Sequence, residues 1–81
     1  MLVRFRGWLV DYLGHHETSI EASNLTVRDI LAMLDKGDEE ILKAVHRKGL
    51  FISVNGRVVY DLATEVSNND LVTLFPIGSG G

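Results

Sequence analysis

Apolar and polar positions alternate at the start of the chain, with Val3 and Phe5 on one side of Leu2-Val3-Arg4-Phe5-Arg6 and Arg4 and Arg6 on the other. A period of two predicts a strand with one buried face. Trp8, Leu9, Tyr12 and Leu13 then recur at helical spacing, which predicts a short helical turn ending at Gly14. Glu17 to Ala22 reads as a second short strand, with Ile20 and Ala22 inward. Val27, Ile30, Leu31 and Leu34 follow at i, i+3, i+4 and i+7, the signature of an amphipathic helix with one apolar stripe. Thr26 and Asp29 stand at capping-box spacing at its start, although aspartate is shorter than the usual glutamate, and the pattern ends near Lys36-Gly37. Asp38 is placed to cap a second helix, with Glu39 and Glu40 at its positive end and His46, Arg47 and Lys48 at its negative end. Gly49 reads as its stop, and Ile41, Leu42 and Val45 as its buried side.

The second half reads as strands. Leu50 to Val54 is followed by Asn55-Gly56, the strongest short hairpin signal, because both residues tolerate positive φ in a two-residue turn. Arg57 to Tyr60 returns antiparallel, and Asp61 to Asp70 is a polar loop with Leu62 and Val66 tucked inward. Leu71 to Phe75 is the last strand, and Pro76 marks where the ladder loses a donor. The order is two strands, two helices and three strands, with too few helices between strands for a doubly wound sheet. The economical fold is α+β: one mixed sheet of four to five strands packed on one or two helices.

With 81 residues, the chain makes one small domain whose stability is expected on the order of 5 kcal/mol. An apolar content of 46% suits a folded core. The absence of cysteine removes disulfides, thiol nucleophiles and thiolate metal sites, and suits a reducing cytosol. The apolar runs are too short to cross a bilayer and no signal-peptide pattern opens the chain, so a soluble cytoplasmic protein with no membrane partner is expected. A net charge of −3 argues against nucleic acid as partner. His15 and His16 are adjacent on an extended segment and point apart, so no metal site is expected there. Arg4, Arg6 and Arg57 are expected to gather on one sheet face, solvated or facing an acidic partner. Trp8 and Tyr12 read as packing residues.

The chemistry-bearing feature is the end of the sequence, Ile77-Gly78-Ser79-Gly80-Gly81. Two glycines without Cβ atoms can thread a narrow channel and present a carboxylate to a reagent. The same composition also fits a flexible linker or a frayed end with no chemistry.

Three segments in order carry a family resemblance over essentially the whole chain: Ile52-Ser53-Val54-Asn55-Gly56, then Asn69-Asp70-Leu71-Val72-Thr73-Leu74-Phe75-Pro76, then Gly80-Gly81. The sequence resembles the ubiquitin-like β-grasp sulfur carriers: the small subunit of molybdopterin synthase, the thiamine-pathway carrier and the archaeal small modifiers. Asn68-Asn69-Asp70 stands where the family has an Asp-Gly-Asp-like turn. The second helix tilts the resemblance toward the molybdopterin synthase small subunit or an archaeal modifier. The resemblance implies a β-grasp domain over residues 1–76 and a flexible tail over 77–81. It implies that an ATP-dependent activating enzyme adenylates the Gly81 carboxylate and that a sulfur donor converts it to a thiocarboxylate, with Gly80 giving access to the partner's channel. Phe75, Pro76, Ile77, Gly78 and Ser79 are then the expected partner-binding residues. The chain would bind no cofactor itself, ATP being used by the activating partner, and a large synthase subunit is a further expected partner. The chain has no phosphate-binding Gly-rich loop and no cysteine, so it reads as a carrier and not an enzyme. Two alternatives stand beside this: a modifier joined to lysines through Gly81, and an interaction module with an inert tail.

Overall fold

The computed structural model describes residues 1–21 and 23–77. Its main sheet has five strands in the order β2 (Glu17–Ser19), β1 (Leu2–Phe5), β7 (Leu71–Pro76), β4 (Leu50–Val54) and β5 (Arg57–Val59). β1 pairs antiparallel with β2 and parallel with β7. β4 lies antiparallel between β7 and β5. The chain is therefore α+β with one mixed sheet. A second, two-stranded sheet joins β3 (Leu25–Thr26) to β6 (Glu65–Val66), in register Leu25↔Val66 and Thr26↔Glu65.

Between β1 and β2 runs α1 (Trp8–Leu13), ended by Gly14 at φ 82°, a left-handed conformation that suits glycine. β2 is shorter than its hydrophobic pattern suggests; Ile20 packs half-buried against the core, and Ala22 lies outside the described residues. α2 (Val27–Leu34) begins with a complete capping box. The Asp29 amide donates to Thr26 Oγ1 at 3.2 Å, and the Thr26 amide donates to Asp29 Oδ2 at 2.9 Å. The shorter carboxylate reaches after all. The helix ends at Leu34, before the expected Lys36-Gly37, because Asp35 turns extended and its carboxylate takes the Gly37 amide at 2.8 Å.

α3 (Glu40–His46) starts after Glu39, which is itself left-handed, and Asp38 Oδ1 accepts the Glu40 amide at 3.2 Å. Its exit differs from expectation as well. Lys48, at φ 60°, makes the left-handed turn, and the Gly49 amide closes on the Ala44 carbonyl at 2.9 Å. Gly49 follows the stop and does not make it.

The core gathers Val3, Phe5, Leu9, the four stripe residues of α2, Ile41, Leu50, Ile52, Val66, Val72 and Leu74. On β1, β7 and β4 these are alternate residues, so one sheet face carries α2 and α3 while the other stays open. Each of these buried apolar side chains contributes roughly 1.5–3 kcal/mol relative to leaving it exposed. No helix among the described residues is long and apolar enough to cross a membrane.

Candidate functional site

The site is built where the last strand leaves the sheet. β7 is central, held by β1 on one side and β4 on the other, with pairs Phe5↔Leu74, Phe51↔Phe75 and Leu50↔Pro76. Pro76 has no N–H, yet the ladder continues one residue further. The Ile77 amide donates to the Gly49 carbonyl at 3.0 Å. The chain is thus fixed on both sides up to Leu74, and from the β4 side alone as far as Ile77.

The start of β7 is fixed by side chains. The Asn55 amide donates to the Leu71 carbonyl at 2.8 Å, and the Leu71 amide donates to Asn55 Oδ1 at 2.9 Å. Asn55 Nδ2 donates to Asp70 Oδ1 at 2.9 Å, while Asp70 Oδ2 accepts the Ser67 amide at 2.8 Å. These bonds, the Ser67 amide first and Asn55 second, hold the Asp70 carboxyl below its ordinary pKa. Asn55 sits at φ 53° and Gly56 at φ 83°, the pair of left-handed residues a tight hairpin needs. Asn55 therefore serves twice, as turn residue and as clamp.

Around the exit, the open face of the sheet is aromatic. Phe51 and Phe75 are half-buried with ring centroids 6.0 Å apart, and Tyr60 meets the Phe51 ring edge-on at 6.4 Å. Tyr60 is 79% exposed and Ile77 60%. Val58 is opposite Ser53 in the ladder and is exposed beside them. Contiguous apolar surface of this kind, with aromatic anchors, is the composition of a docking face.

Of the expected partner-binding residues, Phe75 lines this open face, Ile77 stands exposed at its edge, and Pro76 is buried. Gly78, Ser79, Gly80 and Gly81 lie outside the described residues. Phe51 was not singled out in the sequence because the near-continuous apolar run of β4 hides its alternation, and Val58 and Tyr60, on and just after the short β5, were not singled out either. The expected arginine cluster does not form. Arg4 is opposite Thr73 on the open face and lies 3.6 Å from Glu17. Arg57 is opposite Val54, on the register that faces the helices, at the far edge strand. His15 packs edge-on against Phe5, with ring centroids 5.3 Å apart. Among the described residues, no group of three or more His, Cys, Asp or Glu is placed to hold a metal ion.

A second polar cluster ties α1 to the loop before α3. Tyr12 Oη donates to Asp38 Oδ1, and Lys36 Nζ lies 5.2 Å from the centre of the Tyr12 ring. The bond to the Asp38 carboxylate, followed by desolvation, pushes the Tyr12 phenol up to about 12. The same bond lowers the Asp38 pKa. Trp8 completes the cluster, edge-on to Tyr12 with ring centroids 5.7 Å apart.

The family model that matches is the ThiS family, over residues 3–81. Among solved structures, a protein titled molybdopterin converting factor, subunit 1, from Pyrococcus furiosus is 26% identical. It superposes with TM-score 0.75, covering 93% of each chain. Urm1 from Sulfolobus solfataricus is 22% identical with TM-score 0.75, over 95% of this chain and all of the other. SAMP1 from Haloferax volcanii is 21% identical with TM-score 0.74, over 100% and 98%. These last two likenesses speak for the fold alone, which is the β-grasp. Among curated proteins no relative matches the sequence.

Proposed function

The chain belongs to the ThiS family of ubiquitin-like carriers and modifiers, and from that premise we propose that it is a sulfur carrier acting through Gly81. The observation that supports this reading is the foot of the tail. The central strand β7 is held on both sides up to Leu74 and from the β4 side on to Ile77, and it opens beside the aromatic face of Phe51, Tyr60 and Phe75. A partner that docks on this face receives the following residues at a fixed origin.

The proposed chemistry belongs to the partner. A carboxylate resists nucleophiles because its charge repels them and its oxide leaves poorly. A Gly81 carboxylate oxygen attacks the α-phosphorus of ATP and pyrophosphate leaves, giving an acyl adenylate. Hydrosulfide then attacks the carbonyl carbon, the C–O bond to AMP breaks and AMP leaves with its electron pair, and loss of the S–H proton gives the thiocarboxylate. Sulfur delivery to a molybdopterin precursor, with a large synthase subunit as second partner, is the favoured destination. The likeness to the Pyrococcus furiosus converting-factor subunit at 26% identity supports it. Transfer of the adenylate to a thiol and then a lysine amine is the second reading, since it starts from the same activated Gly81.

Intact-mass analysis tests the first reading. Incubation with ATP, an activating enzyme shown to be active and a sulfur source should add the mass difference of one sulfur for one oxygen. That gain should vanish when Gly80 and Gly81 are deleted. An unmodified native chain under these conditions rejects it, and a mass gain that appears on lysines of other proteins selects the second.

A further inference from the structure

We propose that the groove between the C-terminal end of α3 and the β4–β5 edge of the sheet docks an acidic segment of a partner protein that carries an aliphatic anchor. The groove is about 440 Å³, within the roughly 300–1,000 Å³ range of ligand-binding clefts. Val45, Leu50, Val59 and Leu62 line it with apolar surface, and His46 and Lys48 supply its polar groups; no Asp or Glu lines it.

Charge decides what fits. Lys43, His46, Arg47 and Lys48 fall within six consecutive positions of a molecule whose net charge is −3. Among the described residues the one ion pair is Arg4 with Glu17, so none of these four is ion-paired; the Lys43 charge acts at longer range on Asp38, which does not line the groove. The carbonyl end of α3 subtracts about half a charge, and the Arg47 side chain already serves it by donating to the Lys43 carbonyl at 3.3 Å. The remaining field is positive and sits at the rim of an apolar cleft. An aliphatic side chain fills the cleft while neighbouring carboxylates meet Lys48 and His46. β5 is an edge strand, so its free backbone groups can also hold an extended segment. Nucleic acid suits the groove less well, because a phosphate chain gains nothing from the apolar lining and the acidic remainder of the surface repels it.

The groove is continuous with the open aromatic face, since Phe51 and Tyr60 border both. A partner seated on that face can reach round the β5 edge. The inference does not rest on the carrier chemistry, and its test uses neither ATP nor an activating enzyme, so either can fail without the other.

The test is a backbone-amide NMR titration of the full chain with a seven-residue synthetic peptide of Leu, Ile and Val flanked by Asp and Glu. The expected result is saturable shifts at His46, Lys48, Val59 and Leu62 with Kd below about 1 mM. Replacing the peptide's acids by Asn and Gln should weaken binding about tenfold, as should Lys48→Glu in the protein. Both positions are exposed, so His46→Glu serves as the second variant if Lys48→Glu perturbs the fold. Absence of saturable shifts, equal affinity for the neutral peptide, or shifts centred on Phe75 would overturn the proposal. So would tighter binding of a uridine oligonucleotide, or groove shifts that depend on the protein's own concentration and assign the groove to a second copy.

Discussion

Asn55→Gly isolates the clamp at the base of β7. Glycine keeps the positive φ that position 55 requires, so the backbone of the turn is retained. Two bonds are lost: Asn55 Oδ1 no longer accepts the Leu71 amide at 2.9 Å, and Nδ2 no longer reaches Asp70 at 2.9 Å. At about 0.5–1.5 kcal/mol net for each bond, the loss is about 2 kcal/mol. That is a large share of a stability on the order of 5 kcal/mol. With a urea m-value of about 1 kcal/mol/M, the unfolding midpoint should fall by about 2 M. Asp70→Ala removes the Ser67 and Asn55 bonds and should cost about 1 kcal/mol, reduced by its exposure to solvent. Because the two variants share one bond, the double variant should be milder than the sum by about 0.5–1 kcal/mol. Amide hydrogen exchange at Leu71 should accelerate in Asn55→Gly more than at Thr73 or Leu74, which keep their ladder partners. The Asp70 contribution also has a sign in pH. Its folded pKa is lowered, so the stabilisation is complete above the ordinary aspartate range and is lost as pH falls through the lowered value. A midpoint shift under about 0.3 M, or uniform exchange along β7, would show that the clamp does not hold the strand.

Two further outcomes follow from exposed groups. Ile77→Ala should leave stability within about 0.5 kcal/mol, since the side chain is 60% exposed, yet weaken binding to the activating partner about tenfold; calorimetric titration showing unchanged affinity would remove Ile77 from the docking face. Tyr12 should titrate near 12 in ultraviolet phenolate absorbance, and Asp38→Asn should bring its midpoint back toward the ordinary value of about 10. Because the folded pKa is raised, this contact stabilises fully below about 10 and is lost as pH rises through about 12. An identical titration curve in Asp38→Asn would contradict the assignment of the shift to that carboxylate.

Periodicity made some elements legible and hid others. Val3 and Phe5 alternate with Arg4, and the stripe Val27, Ile30, Leu31 and Leu34 keeps helical spacing, so β1 and α2 could be read with their buried sides. β3 and β6 have two residues each, too few for any period, and exist because the Asp61-to-Asp70 loop must pass the start of α2. There the Val27 amide donates to the Thr64 carbonyl and the Arg28 amide to the Leu62 carbonyl, both at 2.9 Å. Helix ends followed features that a hydrophobic pattern does not encode, a side-chain bond at Asp35 and a left-handed backbone turn at Lys48. The open aromatic face was hidden for a different reason. Leu50-Phe51-Ile52-Ser53-Val54 has one polar residue, itself buried, and only pairing with Thr73 and Phe75 places Phe51 and Ser53 on the face away from the helices. The Asn55–Asp70 clamp joins two motifs that could each be read singly but not as partners, being 15 positions apart.

The division between face and tail constrains how such a carrier can be passed between partners. On the proposed chemistry, loading exchanges one oxygen for one sulfur at Gly81, and no atom of Phe51, Tyr60, Phe75 or Ile77 changes. Contacts made by the face are therefore equally strong for the loaded and unloaded chain. Binding that does not differ between two states cannot shift a population between them. The face can supply affinity and speed of encounter, but discrimination between carboxylate and thiocarboxylate has to reside in the channel that receives the last glycines. A variant of the face should accordingly change the apparent affinity of the loaded and unloaded forms by the same factor. A variant of the receiving channel should separate them. The anchoring of β7 matters to this division, because affinity gained at the face translates into placement of Gly81 only if the strand between them keeps its register. That register depends on Asn55 at one end and on the Ile77-to-Gly49 bond at the other.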